Sequence, residues 1–255
     1  MAQQTAGTLC TRDTLWVAPQ TPVVEALMAM QRGRKSSLLV LLHQEAVGIV
    51  TERDLGRMTS KILNFPDLQV RDIMSAPLLT IPAATLALAA FRQMRDERIR
   101  HFAVLDDNLN LLGLLSLSDL MFKYAPLCIA PTATVGEYMA REVITAAAGT
   151  PIRQVLGLMT RREISCVVIA EGSRPVGMIS ERDLPGCLLT SAEELERPIS
   201  TIMTPPQPMI SATTPTVAAL ELMHSRGVRR LIVAHADGSM AGLVTQSLLG
   251  RAVER

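Results

Sequence analysis

Three segments of the chain set a hydroxyl residue three positions ahead of an aspartate: Thr51 and Asp54, Ser116 and Asp119, Ser180 and Asp183. A fourth segment, at Thr245, carries Leu248 in the aspartate's place. Each hydroxyl falls where an apolar run gives way to a predicted helix. There it offers an oxygen beside unpaired backbone N–H groups at the positive end of the helix dipole, a natural seat for phosphate. An aspartate one turn later accepts hydrogen bonds from both hydroxyls of a ribose cis-diol, each charge-assisted. Gly48, Gly113, Gly177 and Gly242, three residues before each hydroxyl, would let a ligand approach the strand backbone closely. An apolar slot between strands would then take adenine. The same S/T-x-x-D spacing is also a helix-start cap, so the residues leave a purely structural role open beside an adenosine-phosphate site. Leu248 helps to separate the two, because it removes the ribose acceptor while the Thr245 cap survives. At most three pockets are therefore expected to be competent.

The elements that position these residues recur. Thr21, Thr85, Thr150 and Thr214 are separated by 64, 65 and 64 residues, and Met30, Met94, Met159 and Met223 repeat those intervals. Ten residues after each methionine stands Val40, Val104, Ile169 or Val233. Such phase over four copies marks a repeat architecture. Within a copy, Thr150 to Met159 reads as a helix with a hydroxyl N-cap, and Pro22, Pro151 and Pro215 fall at the first helical position in three copies. Ile152, Val155, Leu156 and Met159 form its buried stripe. Two apolar runs, 166–170 and 176–179, flank a turn at 171–175 and read as a hairpin. A second helix starts at Ser180, and a short strand at 143–147 completes a βαββα unit. The fold class is α/β of the α+β type, with copies at 1–65, 66–128, 129–194 and 195–255. Thr51-Glu52-Arg53-Asp54-Leu55 returns as Ser180-Glu181-Arg182-Asp183-Leu184, 129 residues later. Even copies share the basic doublets Arg100-His101 and Arg229-Arg230, where odd copies have Ser36-Ser37 and Ser165-Cys166. Duplication of a two-copy module explains both facts and predicts modules at 1–128 and 129–255.

Composition narrows the function classes. Twenty-five basic and 24 acidic residues give a net charge of +1, so no bulk field recruits nucleic acid or an anionic membrane. Aromatics are only 3% of residues, so Leu, Val, Ile, Ala and Met must fill the core, including Met74, Met139 and Met203. Trp16 is expected to pack, with contact to a base as the alternative. Cys10, Cys128, Cys166 and Cys187 show no C-x-x-C spacing and the four histidines no metal-ligand pattern, so neither a disulfide framework nor a metal site is expected. The first ten residues lack the basic start and apolar stretch of a signal peptide, which predicts a cytoplasmic protein. No nucleophile and base constellation or P-loop is present, which argues against an enzyme.

The βαββα order and the Gly, Ser/Thr, Asp frame resemble the CBS-domain family over nearly the whole chain. The resemblance implies that copies pair into Bateman modules with nucleotide clefts, packed into a disc-like assembly within one chain or through a homodimer. It implies a regulatory sensor without covalent cofactor that binds AMP, ADP or ATP, with or without Mg2+, and modulates an effector protein. A cyclic dinucleotide, S-adenosylmethionine or a ligand-free dimerising scaffold are the alternatives. Basic residues at such positions approach phosphates in related proteins, a role that falls here on Arg53, Arg182, Arg100, His101, Arg229 and Arg230, with exposed arginines on a solvated face as the other reading. Thr51, Ser116, Ser180 and Thr245 would line the phosphate end, and Asp54, Asp119 and Asp183 the ribose.

Overall fold

The computed structural model describes residues 4–33, 35–43, 45–58, 68–188, 191, 193–205 and 208–253, apart from the side chains of 56–58 and 188. The four copies build the same small sheet. Copy 1 contributes β1 (Trp16–Val17), β2 (Ser37–Leu42) and β3 (Glu45–Thr51), and copy 2 contributes β4 (Thr80–Pro82), β5 (His101–Leu105) and β6 (Leu111–Ser116). Copy 3 has β7 (Thr145–Ala146), β8 (Cys166–Glu171) and β9 (Arg174–Ser180), and copy 4 has β10 (Arg230–Ala234) and β11 (Met240–Thr245). In the first three copies a short strand runs parallel to the first arm of an antiparallel hairpin. Copy 4 reduces that strand to a single parallel bridge, Ile210 to Val233.

The periodic residues are partners across the hairpin. Val40 faces Gly48, Val104 faces Gly113, Ile169 faces Gly177 and Val233 faces Gly242, and the register shifts just after each pair. The turn at 171–175 tightens to two residues, with Gly172 in the left-handed region at φ 60°. The helices Val23–Gly33, Ala87–Asp96, Ile152–Arg161 and Thr216–Ser225 bury positions i, i+3, i+4 and i+7, each stripe ending on the periodic methionine. Their starts differ by one residue from the expectation. Pro22, Pro151 and Pro215 are the caps, whose carbonyls accept the first helical bonds from Ala26, Val155 and Ala219 at 3.2, 3.2 and 3.0 Å.

The threonines before those prolines have a different task. The carbonyls of Thr21, Thr85, Thr150 and Thr214 accept hydrogen bonds from the backbone N–H of Val70, Ala6, Ile199 and Val135 at 2.9, 2.7, 2.8 and 2.9 Å. Those donors begin four short helical turns, Val70–Asp72, Ala6–Leu9, Ile199–Thr201 and Val135–Glu137. Each such leading segment ends in a bridge beside a frame glycine: Ser75 with Ile49, Thr11 with Leu114, Thr204 with Met178 and Ala140 with Leu243. Consecutive copies therefore exchange leading segments. The opening stretch of copy 1 docks on copy 2, the opening stretch of copy 2 docks on copy 1, and copies 3 and 4 do the same.

The frame glycines are explained by this docking. A Cβ on Gly113 or Gly242 would stand 2.5 Å from the carbonyl oxygen of Thr11 or Ala140, and one on Gly48 would stand 3.0 Å from that of Ser75. The close approach expected from a ligand is made by the protein's own backbone. Met74, Met139 and Met203 precede three of the bridging residues and pack against the cores, as expected of them.

The chain divides into two compact units, one of residues 1–13, 79–143 and 206–255, the other of 14–78 and 144–205. The first shares a core between copies 2 and 4, built around Phe91, Met94, Phe102, Leu220, Met223 and Leu231. The second shares a core between copies 1 and 3, built around Leu27, Met30, Leu38, Leu156, Met159 and Val167. Copies are thus joined two apart in sequence by side-chain packing and in succession by segment exchange. Trp16 is 63% exposed and does not pack as expected.

Candidate functional site

Each S/T-x-x-D segment begins a helix, and the backbone explains why. In the extended conformation at Ser116 and Ser180, with φ −104° and −142°, the chain leaves its strand and enters the helix at the next residue. The aspartate then folds back onto the hydroxyl residue. Asp54 Oδ2 accepts from the Thr51 backbone N–H and hydroxyl at 2.8 and 2.6 Å. Asp119 Oδ2 accepts the same two bonds from Ser116 at 3.0 and 2.5 Å, and Asp183 Oδ2 from Ser180 at 2.7 and 3.0 Å. Ser116 and Ser180 form capping boxes with their aspartates and Thr51 makes the same two bonds to Asp54, so one carboxylate oxygen per site is committed to the fold. In copy 4 only the reverse bond remains, from the Leu248 N–H to the Thr245 hydroxyl at 3.3 Å.

The second carboxylate oxygen distinguishes the copies. Asp54 Oδ1 accepts from the Ser75 hydroxyl at 2.9 Å, and the residue is 5% exposed. Asp119 Oδ1 accepts from Lys123 Nζ at 2.8 Å and from the Thr11 hydroxyl at 3.4 Å. Asp183 Oδ1 has no hydrogen-bond partner among the described residues. An ionised carboxylate has about four lone-pair positions. Asp119 has filled them, whereas Asp183 keeps both on Oδ1, the number a cis-diol requires. The sequence reading missed Ser75 and Thr11, which stand on the exchanged segments. Their counterparts are Thr204 in copy 3 and Ala140 in copy 4, so the copy that lacks the aspartate also lacks the bridging hydroxyl.

Asp183 is among the residues that line a cavity of about 410 Å3, together with Gln31, Arg182, Cys187, Glu194, Leu195 and Arg197. That volume falls within the roughly 300–1,000 Å3 typical of small-molecule sites. Arg182 Nε stands 3.8 Å from Oε1 of Glu52, which is buried, as is Glu181 at the same position of copy 3. These two buried carboxylates were not singled out from sequence, where a glutamate in the first helical turn reads as a solvated residue. Arg53 stands beside Asp54 on the equivalent helix of copy 1.

The basic doublets sit across the hairpin from the caps. His101 is the strand partner of Ser116, and Arg230 of Thr245. Arg100 and Arg229 turn their carbonyls to the helix starts, accepting from Leu117 and Gln246 N–H at 2.8 and 3.0 Å. The predicted residues of each copy are therefore neighbours, with Arg230 drawn into the interior. Among the described residues no group of three His, Cys, Asp or Glu side chains could hold a metal ion. No described helix is long and apolar enough to cross a membrane.

Burial, reinforced by the Asp183 carboxylate, pushes the Cys187 thiol up from 9.0 to about 12. The unfolded chain would lose that proton near 9.0, so the stability this group contributes is complete below pH 9.0 and is lost as pH climbs toward 12. Iodoacetamide at pH 8 is expected to alkylate exposed Cys128 and spare Cys187 until the protein unfolds, as read by peptide mass spectrometry. Equal labelling of the two would contradict the placement.

The family model for the CBS domain matches residues 6–58, 70–125, 135–186 and 199–254. The chain belongs to the CBS-domain family. Its four CBS repeats are superposable on a protein from Methanocaldococcus jannaschii put forward as an archaeal homolog of g-AMPK, with TM-score 0.86 and 18% identity over 97% of this chain and 99% of that one. An uncharacterised protein of Methanopyrus kandleri is 32% identical over 123 residues, 48% of this chain and 63% of its own length. A second uncharacterised protein, from Methanocaldococcus jannaschii, is 25% identical over 263 residues, 96% of this chain and 61% of its own. The chain thus spans less than two thirds of these curated relatives. The CBS repeats account for the α+β architecture and for the capped helix starts at which the candidate residues gather.

Proposed function

We propose that this protein is a regulatory sensor of adenine nucleotides, AMP, ADP or ATP with or without Mg2+, and that its best-prepared site is the one at Asp183. One observation carries the reading: Asp183 lines a cavity and holds a carboxylate oxygen that no described group occupies, and Arg182 and Arg197 on the same lining offer guanidinium groups to a phosphate. Ribose would bond to Asp183, phosphates would lie toward Ser180 and Arg182, and binding would draw Arg182 away from Glu52. Asp54 with Thr51 and Arg53 forms a second candidate site. Copy 4, with Thr245, Arg229 and Arg230 but no aspartate, is assigned a phosphate contact without a ribose acceptor. The role is non-enzymatic: nucleotide binding shifts the arrangement of paired repeats, and a cytoplasmic effector protein responds. Modules at 1–128 and 129–255 within a homodimer are the assembly this reading favours, the segment exchange between consecutive copies supporting the pairing.

A second reading has its own observation. All three aspartates accept from the backbone N–H that precedes their helix, as a ligand-free scaffold would also need. A thermal-shift panel separates the two, since a ligand at 100 times its Kd adds about 2.7 kcal/mol of stability. An adenine nucleotide is expected to raise Tm. A response only to S-adenosylmethionine or a cyclic dinucleotide would move the ligand class, and no response to any adenosine compound at millimolar concentration would leave the scaffold.

A further inference from the structure

We propose that Lys123 is a built-in occupant of the copy 2 site, holding the Asp119 carboxylate closed to a nucleoside while the equivalent site at Asp183 stays open. The inference rests on the nucleotide-sensing reading and assigns a residue that decides which copies bind.

The geometry is specific. Lys123 Nζ donates to Asp119 Oδ1 at 2.8 Å and to the Leu9 carbonyl at 2.8 Å, which ties the aspartate to the segment docked from the front of the chain. Thr11 on the same segment adds a longer bond to the same oxygen. With Ser116 on Oδ2, every acceptor position of Asp119 is used, so a ribose hydroxyl has to displace a donor that the protein supplies. The helix is altered at this place. After Leu117–Asp119 it continues as a wide π turn over Leu120–Tyr124, whereas the stretch after Asp183, Leu184–Leu188, is an ordinary α-helix. Such turns are frequent at functional positions. The residues four places after the motif position elsewhere are Met58, Cys187 and Ala252, none of them a cation.

The closure is reversible by construction. Lys123 is 48% exposed and Asp119 13%, so water screens the ion pair and a ligand with enough phosphate contacts can replace it. Copy 2 would then fill after copy 3 and only at higher ligand concentration. His101 opens the strand of this copy, with Arg100 just before it.

Titration calorimetry with AMP tests the assignment on the full chain, comparing wild type with Lys123→Met, Lys123→Arg and the double variant Lys123→Met with Asp119→Ala. Lys123→Met is expected to bind one further AMP or to tighten the weaker event about fivefold, a change equal to removal of a half-exposed ion pair. Lys123→Arg should behave as wild type, and the double variant should lose the gain. Unchanged or weaker binding by Lys123→Met overturns the proposal while leaving the nucleotide reading intact, since it would make Lys123 a bystander or a phosphate ligand. A gain that survives Asp119→Ala overturns it as well. Binding of AMP by none of the proteins overturns the nucleotide reading, and Lys123 closure with it.

Discussion

Alanine at position 113 or 242 is expected to destabilise the fold by about 1–3 kcal/mol, a fall in Tm of roughly 2–12 °C. The added methyl group would stand 2.5 Å from the Thr11 or Ala140 carbonyl oxygen, which is backbone and already hydrogen-bonded to Leu114 or Leu243 at 2.9 Å. Relief requires the docked segment to withdraw and surrender those bridges, with the helical turn behind each of them. Gly149→Ala is the control, because nothing lies within 4 Å of a Cβ there. Thermal or urea denaturation reads the difference. Equal stability of Gly113→Ala and Gly149→Ala would mean that the exchanged segment is not held against the strand.

Asp183→Ala is expected to weaken AMP binding at least about 100-fold at the tightest site. Two charge-assisted hydrogen bonds to ribose are lost, each worth about 1.5–3 kcal/mol, and 2.7 kcal/mol corresponds to about 100-fold. Asp183→Asn should fall between, since its single carbonyl oxygen must choose between the Ser180 cap and the ligand. The capping bonds at 2.7 and 3.0 Å also stabilise the folded chain, so each variant is to be compared at a temperature well below its own Tm. A smaller loss from Asp119→Ala is expected, because Asp119 already spends its acceptors on Ser116, Lys123 and Thr11. Equal losses from the two variants would contradict the distinction between open and closed sites.

The repeat frame, the buried helix stripes and the hairpins were legible because each is written in local periodicity. Met30, Met94, Met159 and Met223 do end buried stripes, and Val40, Val104, Ile169 and Val233 do sit in the hairpins. The leading segments were not legible. They are single helical turns without a period, and their partners lie in the neighbouring copy, as Thr11 with Leu114 shows. The frame glycines illustrate the consequence. Their spacing was plain, but the group that needs the room is a backbone carbonyl supplied from elsewhere in the chain.

At the candidate site the residue types were legible and their inequality was not. Asp54, Asp119 and Asp183 read alike over seven residues. What separates them is Ser75, 21 residues from Asp54, Thr11, 108 residues from Asp119, and Lys123, bonded to Asp119 and to the Leu9 carbonyl together. Lys123 was visible four positions after Asp119, yet such a pair on a helix is ordinarily a solvated ornament of small energy. Its second partner, the Leu9 carbonyl, gives it a site to close.

The central claim is that Asp183 marks the first nucleotide site, and a crystal structure of the protein grown with AMP tests it most directly. The account predicts the ribose 2′ and 3′ hydroxyls about 2.5–3.0 Å from Asp183 Oδ1, with Ser180 and Arg182 toward the phosphate. AMP seated with its ribose away from Asp183, or a cavity without nucleotide at millimolar AMP, would contradict it.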